Sequence, residues 1–208
     1  MGNSIDNLAV IEQRLLDAPM SLDRAKLLDA DWVPDVPFND PPVAAAVLLT
    51  LINRPEGFTI VFTLRSKGLR AHSGQIAFPG GKLDAGDTGP GAGALREAAE
   101  EIDLNPASAR ILGYMPSYLT GTNYIITPVV AEISGQPEFK PNPREVDQIF
   151  EVPLSFVLHK DSFSKLTLTR NTRIYSTWQM NYGAHTIWGI TANLLRKFHD
   201  MALSGLVF

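Results

Sequence analysis

The chain has 208 residues, no cysteine, 18 Lys and Arg against 22 Asp and Glu, and a net charge of −4. That balance lacks the basic excess of a general nucleic-acid binder, and 45% hydrophobic residues suit a globular protein with a substantial core. Without cysteine there are no disulfides, thiolate nucleophiles or thiolate metal sites, so any metal chemistry falls to oxygen or imidazole ligands and the expected setting is a reducing, cytoplasmic one.

At the N-terminus, Leu8, Ile11, Leu15 and Leu16 recur at helical spacing, and Ser21 is placed to cap a second helix over "SLDRAKLLDA". The proline-rich "VPDVPFNDPP" breaks the pattern. "VAAAVLLTLI" and "FTIVFTLRS" then read as two buried strands joined by a turn at "NRPEG". The longest apolar run, Val43 to Ile52, is far short of the roughly 20 residues that span a bilayer, and no basic, apolar leader precedes it, so no membrane partner is expected. Gly/Pro/Asp punctuation predicts a long loop from Gly80 to Gly93, followed by a central helix over Ala94 to Leu104. Beyond it, "RILGYMPSYL", "YIITPVVAEIS" and "QIFEVPL" read as strands, "RIYSTWQMNYGAHTIWG" as a hairpin, and "ITANLLRKFHDMAL" as a closing helix. Strands on both sides of one central helix, with another helix at the end, predict an α/β sandwich.

The central helix carries "REAAEE". At about 100° per residue, Glu97, Glu100 and Glu101 share an arc of roughly 100°, and Leu95, Ala98, Ala99 and Ile102 share one nearly opposite. Like charges at i, i+4 cost only about 0.2–0.5 kcal/mol per pair, so a solvated acidic face is the ordinary reading of this segment alone. The glycine pair Gly80 and Gly81 alters the balance, because backbone without a Cβ can approach a ligand closely. Hard divalent cations such as Mg²⁺ take carboxylate and carbonyl oxygens and share the rest of their shell with water and phosphate. Arg96, at i, i+4 from Glu100, is placed to hold a carboxylate, or simply to pair with it at the surface.

This segment resembles the Nudix hydrolase box, G-x5-E-x7-R-E-U-x-E-E-x-G-U with U apolar. Gly81 matches its start, and Arg96, Glu97, Ala98, Glu100, Glu101 and Leu104 match its helical half. It departs in three places: Asp87 stands for the first glutamate, eight residues rather than seven separate it from Arg96, and Asp103 replaces the late glycine. Upstream, "LRSKGLRAHSGQIAFPGG" is similar to the signature of the coenzyme A pyrophosphatase subgroup, R-[SA]-x3-R-x3-G-x3-F-P-G-G, through Arg65, Ser66, Arg70, Gly74, Phe78, Pro79, Gly80 and Gly81. "NPREVDQIFEVPL" and "HTIWGITA" also look like that subgroup.

The resemblance implies a Nudix-type α/β/α sandwich with a mixed sheet over residues 41–208, leaving 1–40 as an N-terminal helical extension. It implies hydrolysis of the diphosphate of coenzyme A and its thioesters with Mg²⁺ or Mn²⁺. Glu97 and Glu101 would be the primary metal ligands, the Gly81 carbonyl a third, and Glu100 either a further ligand or the base. Arg65 and Arg70 are candidate phosphate forks on the substrate, with Gly80 and Gly81 lining its site; Lys67, His72 and Lys82 are weaker members of that basic cluster. Glu145 in "NPREV" reads equally as an extra carboxylate or a loop salt bridge. Tyr118, Tyr124, Phe163, Tyr175 and Trp178 read as packing rather than stacking residues, and Trp188 as an anchor for the last helix. The expected partner is a small molecule, with monomer and homodimer both open. Other nucleoside diphosphate derivatives, such as ADP-ribose, NADH or dinucleoside polyphosphates, and a non-hydrolytic binding module are the alternatives.

Overall fold

β1 (Val43–Arg54) and β2 (Gly57–Arg65) form the hairpin expected around "NRPEG", pairing antiparallel from Ile52↔Thr59 to Arg54↔Gly57. The computed structural model describes residues 4–20, 40–68, 74–170 and 173–203. The second N-terminal helix expected from Ser21 lies outside these residues. Past the paired residues the hairpin's strands take different neighbours: β3 (Ile76–Ala77) pairs with β2 at Thr63 and Leu64, and β4 (Gly80–Lys82) pairs with β1 at Ala45 to Val47. Two short strands thus line the open end of the hairpin.

The central helix α2 runs Pro90–Ile102. The expected loop from Gly80 to Gly93 is therefore corrected at both ends: Gly80 to Lys82 is strand, and the helix starts before Ala94. Proline is tolerated in the first helical turn, where its missing N–H has no partner to lose. Gly93 lets that turn approach the preceding loop, since a Cβ there would collide with the Leu83 side chain.

β5 (Ala109–Tyr114) and β6 (Tyr118–Leu119) split the single strand expected over "RILGYMPSYL", and both pair antiparallel with β7 (Tyr124–Ile133). β7 runs parallel to β1 from Val43↔Tyr124 to Ile52↔Ile133, and β8 (Val146–Pro153) flanks β2 antiparallel. The result is an eight-stranded mixed sheet.

After the short α3 (Leu154–Val157), β9 (Phe163–Arg170), β10 (Arg173–Tyr182) and β11 (His185–Trp188) form a separate antiparallel sheet, ahead of α4 (Ile190–Leu203). The hairpin and closing helix were expected. β9 was not, because "FSKLTLTR" alternates without a strong apolar face.

Strand alternation distributes side chains to two cores. Leu48, Ile52, Val61, Val129 and Ala131 pack with Ala94, Ala98 and Ile102 of α2. Leu49, Leu51, Ile60, Phe62 and Val130 pack with Leu194, Leu195 and Phe198 of α4, and with Leu8 and Ile11 of α1 (Ser4–Glu12). The fold is a mixed α/β sandwich with helices on both faces of a large sheet. Trp188 is not the anchor expected: it is 38% exposed, whereas Ile187 beside it is fully buried. Tyr118 and Phe163 are buried as expected.

Helix α2 ends on Asp103, in the left-handed conformation (φ 58°, ψ 32°) that glycine adopts without strain, with its N–H directed at the Ala98 and Ala99 carbonyls. The helix closes normally despite the missing glycine. Asp103→Gly should raise stability by up to about 1 kcal/mol, roughly 2–4 °C in Tm, because the exposed Lys140 pair it removes is worth little. Thermal unfolding checks this.

Behind the hairpin turn, Arg54 forks onto Glu151 at 2.6 and 3.0 Å, and Thr59 Oγ1 donates to the same carboxylate at 2.5 Å. Burial pushes the Glu151 carboxyl up, but these donors outweigh it and hold it below its ordinary value. A depressed folded-state value stabilises the fold above the unfolded value and loses that contribution as pH falls through the folded one. Glu151→Gln should therefore cost about 1–2 kcal/mol at pH 7, with the gap from wild type closing in acid below about pH 4. Urea unfolding across that range measures it.

Candidate active site

The three box glutamates sit in three environments. On the helical wheel Glu101 falls beside the Ala94 and Ala98 stripe that faces the sheet, Glu97 stands further round, and Glu100 further still. Exposure follows that order: the side chains of Glu101, Glu97 and Glu100 are 2%, 16% and 54% exposed. A uniformly solvated acidic face is thereby excluded.

Burial of Glu101 is offset by two donors brought from other elements. The Gly80 N–H of β4 donates to Oε2 at 3.1 Å, and Arg65 Nη1 at the end of β2 reaches Oε1 at 3.4 Å. Even so, burial pushes the carboxyl up to about 7, helped by the charges of Glu97 and Glu145 and opposed by Gly80 and Arg65. Glu97 is also raised, chiefly by burial and against the pull of Arg96.

The glycine pair is required by packing. Gly80 adopts φ 154°, and a Cβ there would strike the Ala46 carbonyl of β1. A Cβ on Gly81 would lie 2.5–2.6 Å from the Glu97 carboxylate atoms, so β4 backbone and carboxylate touch directly.

Arg96 organises the outer rim. Its Nε and Nη2 fork onto Asp87 at 3.1 Å each, Nη1 reaches Glu97 at 3.0 Å and Glu100 at 3.3 Å, and Nη2 donates to the Lys82 carbonyl at 3.0 Å. These contacts raise the guanidinium's pKa further, Asp87 contributing most. Asp87 thus anchors the arginine from the position of the first box glutamate. The extra residue between them is absorbed in the loop and first turn of α2.

Glu145, which reads two ways in the sequence, joins the group. Asn142 accepts the Glu145 and Val146 N–H groups at 2.9 and 2.8 Å and donates its own N–H to the Glu101 carbonyl at 2.9 Å. The turn before β8 therefore hangs on the end of α2, and the Glu145 charge bears on both Glu97 and Glu101. Local sequence could not place it, since the link is a backbone bond to a distant helix. Arg70 and His72 lie outside the described residues.

Residues 41–171 match the NUDIX domain family. The chain belongs to the Nudix family. It is 37% identical over 153 residues to the Nudix hydrolase NudL of Escherichia coli K12, covering 74% of this chain and 79% of that protein. NudL of Escherichia fergusonii is 38% identical over the same length and coverage. Among solved structures, the chain is similar to the Nudix hydrolase RenU of M. smegmatis, with 24% identity over 54% of this chain and 71% of that one and a TM-score of 0.46. It is also similar to a MutT/nudix family protein of Enterococcus faecalis, with 14% identity over 98% and 74% and a TM-score of 0.49.

Nudix hydrolases act on diphosphate bonds and use divalent cations such as Mg²⁺ or Mn²⁺. Among the described residues, no three acidic, imidazole or thiolate groups converge in cation-binding geometry; Arg96 and Arg65 engage the box carboxylates instead. The donor chemistry still fits a hard cation. Glu97 and Glu101 crowd together, and Gly81 backbone touches the former without an intervening Cβ. Arg65 Nε is buried and has no hydrogen-bond partner among the described residues. Also among these residues, no helix is long and apolar enough to cross a membrane.

A raised folded-state carboxyl makes the folded protein bind the extra proton, so stability falls as pH rises between the unfolded value and about 7. Glu101→Gln removes that cost while keeping an acceptor for Gly80. The metal-free variant should exceed wild-type stability by roughly 1–3 kcal/mol at pH 8, with the difference vanishing below about pH 4. Chemical unfolding in chelator at both pH values measures it.

Proposed function

We propose that the chain hydrolyses the diphosphate bond of coenzyme A and its thioesters, giving 3′,5′-ADP and 4′-phosphopantetheine or its acylated form. The observation carrying this reading is that Arg65, Gly80 and Gly81 of the subgroup signature are in contact with Glu101 and Glu97 of the Nudix box, through two hydrogen bonds and one backbone approach. These contacts support reading the substrate signature and the acidic helix as one site.

A bound divalent cation would neutralise the diphosphate oxygens against which water must attack. Glu97, Glu101 and the Gly81 carbonyl would hold it. Arg65 offers a charge-assisted contact to a phosphate oxygen, and the signature's Arg70 is the candidate for a second. Water adds to one phosphorus, the bridging P–O bond breaks, and the departing phosphate keeps that bond's electron pair. Glu100, exposed on the rim, and Glu145, whose charge bears on Glu97 and Glu101, are the candidates to take the proton from water. The sequence offers neither a cysteine nor an evident Ser/His/Asp motif of the kind a typical thioesterase uses, so the thioester is expected to survive.

With Mg²⁺ or Mn²⁺, acetyl-coenzyme A should yield 3′,5′-ADP and acetyl-phosphopantetheine by mass spectrometry, with ¹⁸O from water in one phosphate. Glu97→Gln should lower turnover by about a hundredfold or more. Free coenzyme A plus acetate, or full activity in excess chelator, would refute the mechanism. Turnover of ADP-ribose or NADH alone would keep the site and change the substrate.

A further inference from the structure

We propose that Thr191 is a positioning residue for the Gly80 amide and, through it, for Glu101; this rests on the reading of Glu97 and Glu101 as the metal-binding pair. Thr191 belongs to "HTIWGITA", a subgroup-like stretch to which no role has attached. It lies in the first turn of α4 and is 8% exposed. A hydroxyl at a helix start ordinarily serves its own helix's free N–H groups. This one instead donates at 3.0 Å to the carbonyl of Ile76 in β3, 115 residues away in sequence.

The bond matters because Ile76 leads directly into the glycine pair. β3 has β2 on one side and β11 packed against it, and Phe78 is wedged onto Phe62 with ring centres 5.1 Å apart. The Pro79 carbonyl accepts the Leu48 N–H at 2.8 Å, and the next residue presents its N–H to Glu101. Gly80 and Gly81 have no side chains with which to hold themselves. Their position is set by attachments on either side: the β4 pairing to β1 after them, and the Ile76 to Pro79 attachments before them. Thr191 supplies the attachment that comes from α4, the helix on the sheet face opposite α2. One hydroxyl thus links the back layer to the buried carboxylate.

Thr191→Val keeps shape and removes the donor, whereas Thr191→Ser keeps the donor. In the full-length, metal-free protein, hydrogen exchange of the peptide spanning Ile76 to Gly81 should quicken about tenfold in the valine variant, with peptides of β1 and β7 unchanged and the serine variant like wild type. On the diphosphate substrate that wild type turns over, the valine variant should lose about tenfold in kcat at a KM within about twofold of wild type, and serine should restore it. Unchanged exchange around Gly80 in a folded valine variant overturns the proposal. So does faster exchange throughout the sheet without rescue by serine, which marks Thr191 as a general stability residue. Absence of any metal-dependent diphosphate hydrolysis by wild type would instead sink the functional reading, while the exchange measurement still decides whether Thr191 holds Gly80.

Discussion

A carboxylate buried to 2% exposure beside a β-sheet is the constraint around which the front of this molecule is arranged. An uncompensated charge there would cost several kcal/mol, so Glu101 needs donors, and α2 cannot supply them because its own amides are committed to helical bonds. They come from the glycine of β4 and the arginine ending β2. Both depend on the β1–β2 hairpin taking separate neighbours beyond its paired turn. β4 lies there between β1 and α2, with no room for a side chain at Gly80 against the Ala46 carbonyl of β1 or at Gly81 against Glu97 of α2.

Arg96 plays the complementary part outside. One guanidinium is shared among Asp87, Glu97, Glu100 and the Lys82 carbonyl, tying the loop before α2, the helix and the end of β4 together. Three carboxylates on adjacent turns are tolerable because this cation pairs with Glu97 and Glu100 while Arg65 pairs with Glu101, and because the three differ in burial. The gradient from Glu100 to Glu101 turns one acidic run into groups with different properties: an exposed carboxylate on the rim and one inside whose affinity for protons is shifted toward neutrality.

Behind the sheet, the second layer is built from both ends of the chain. Leu8 and Ile11 of α1 share a core with Leu194, Leu195 and Phe198 of α4, and Arg14 donates to the Met201 and Ala202 carbonyls near the end of α4. Leu16 exchanges backbone hydrogen bonds of 2.9 Å with Tyr114, covering part of the exposed edge of β5. Leu8 to Leu16 therefore pack as part of the same sandwich.

Several features were legible from the sequence because they depend on local pattern. The β1–β2 hairpin shows in two apolar runs around a turn, α4 in its apolar spacing, and the box in the spacing of Gly81, Arg96, Glu97, Glu100 and Glu101. Where α2 starts was not legible, because Gly91 and Gly93 look like loop residues until neighbouring elements are seen to need their small size. Nor did an arc of glutamates reveal which one is buried: that depends on where the sheet lies, and the sheet is assembled from strands distant in sequence. Glu145 and Thr191 show the same limit, since each acts through a hydrogen-bonded contact to a backbone carbonyl of another element, Asn142 to Glu101 and Thr191 to Ile76. Sequence by itself determined which chemical groups the chain carries and on which elements most of them stand. Tertiary structure alone decided their burial, partners and protonation, because those properties come from atoms brought together across the fold rather than along the chain.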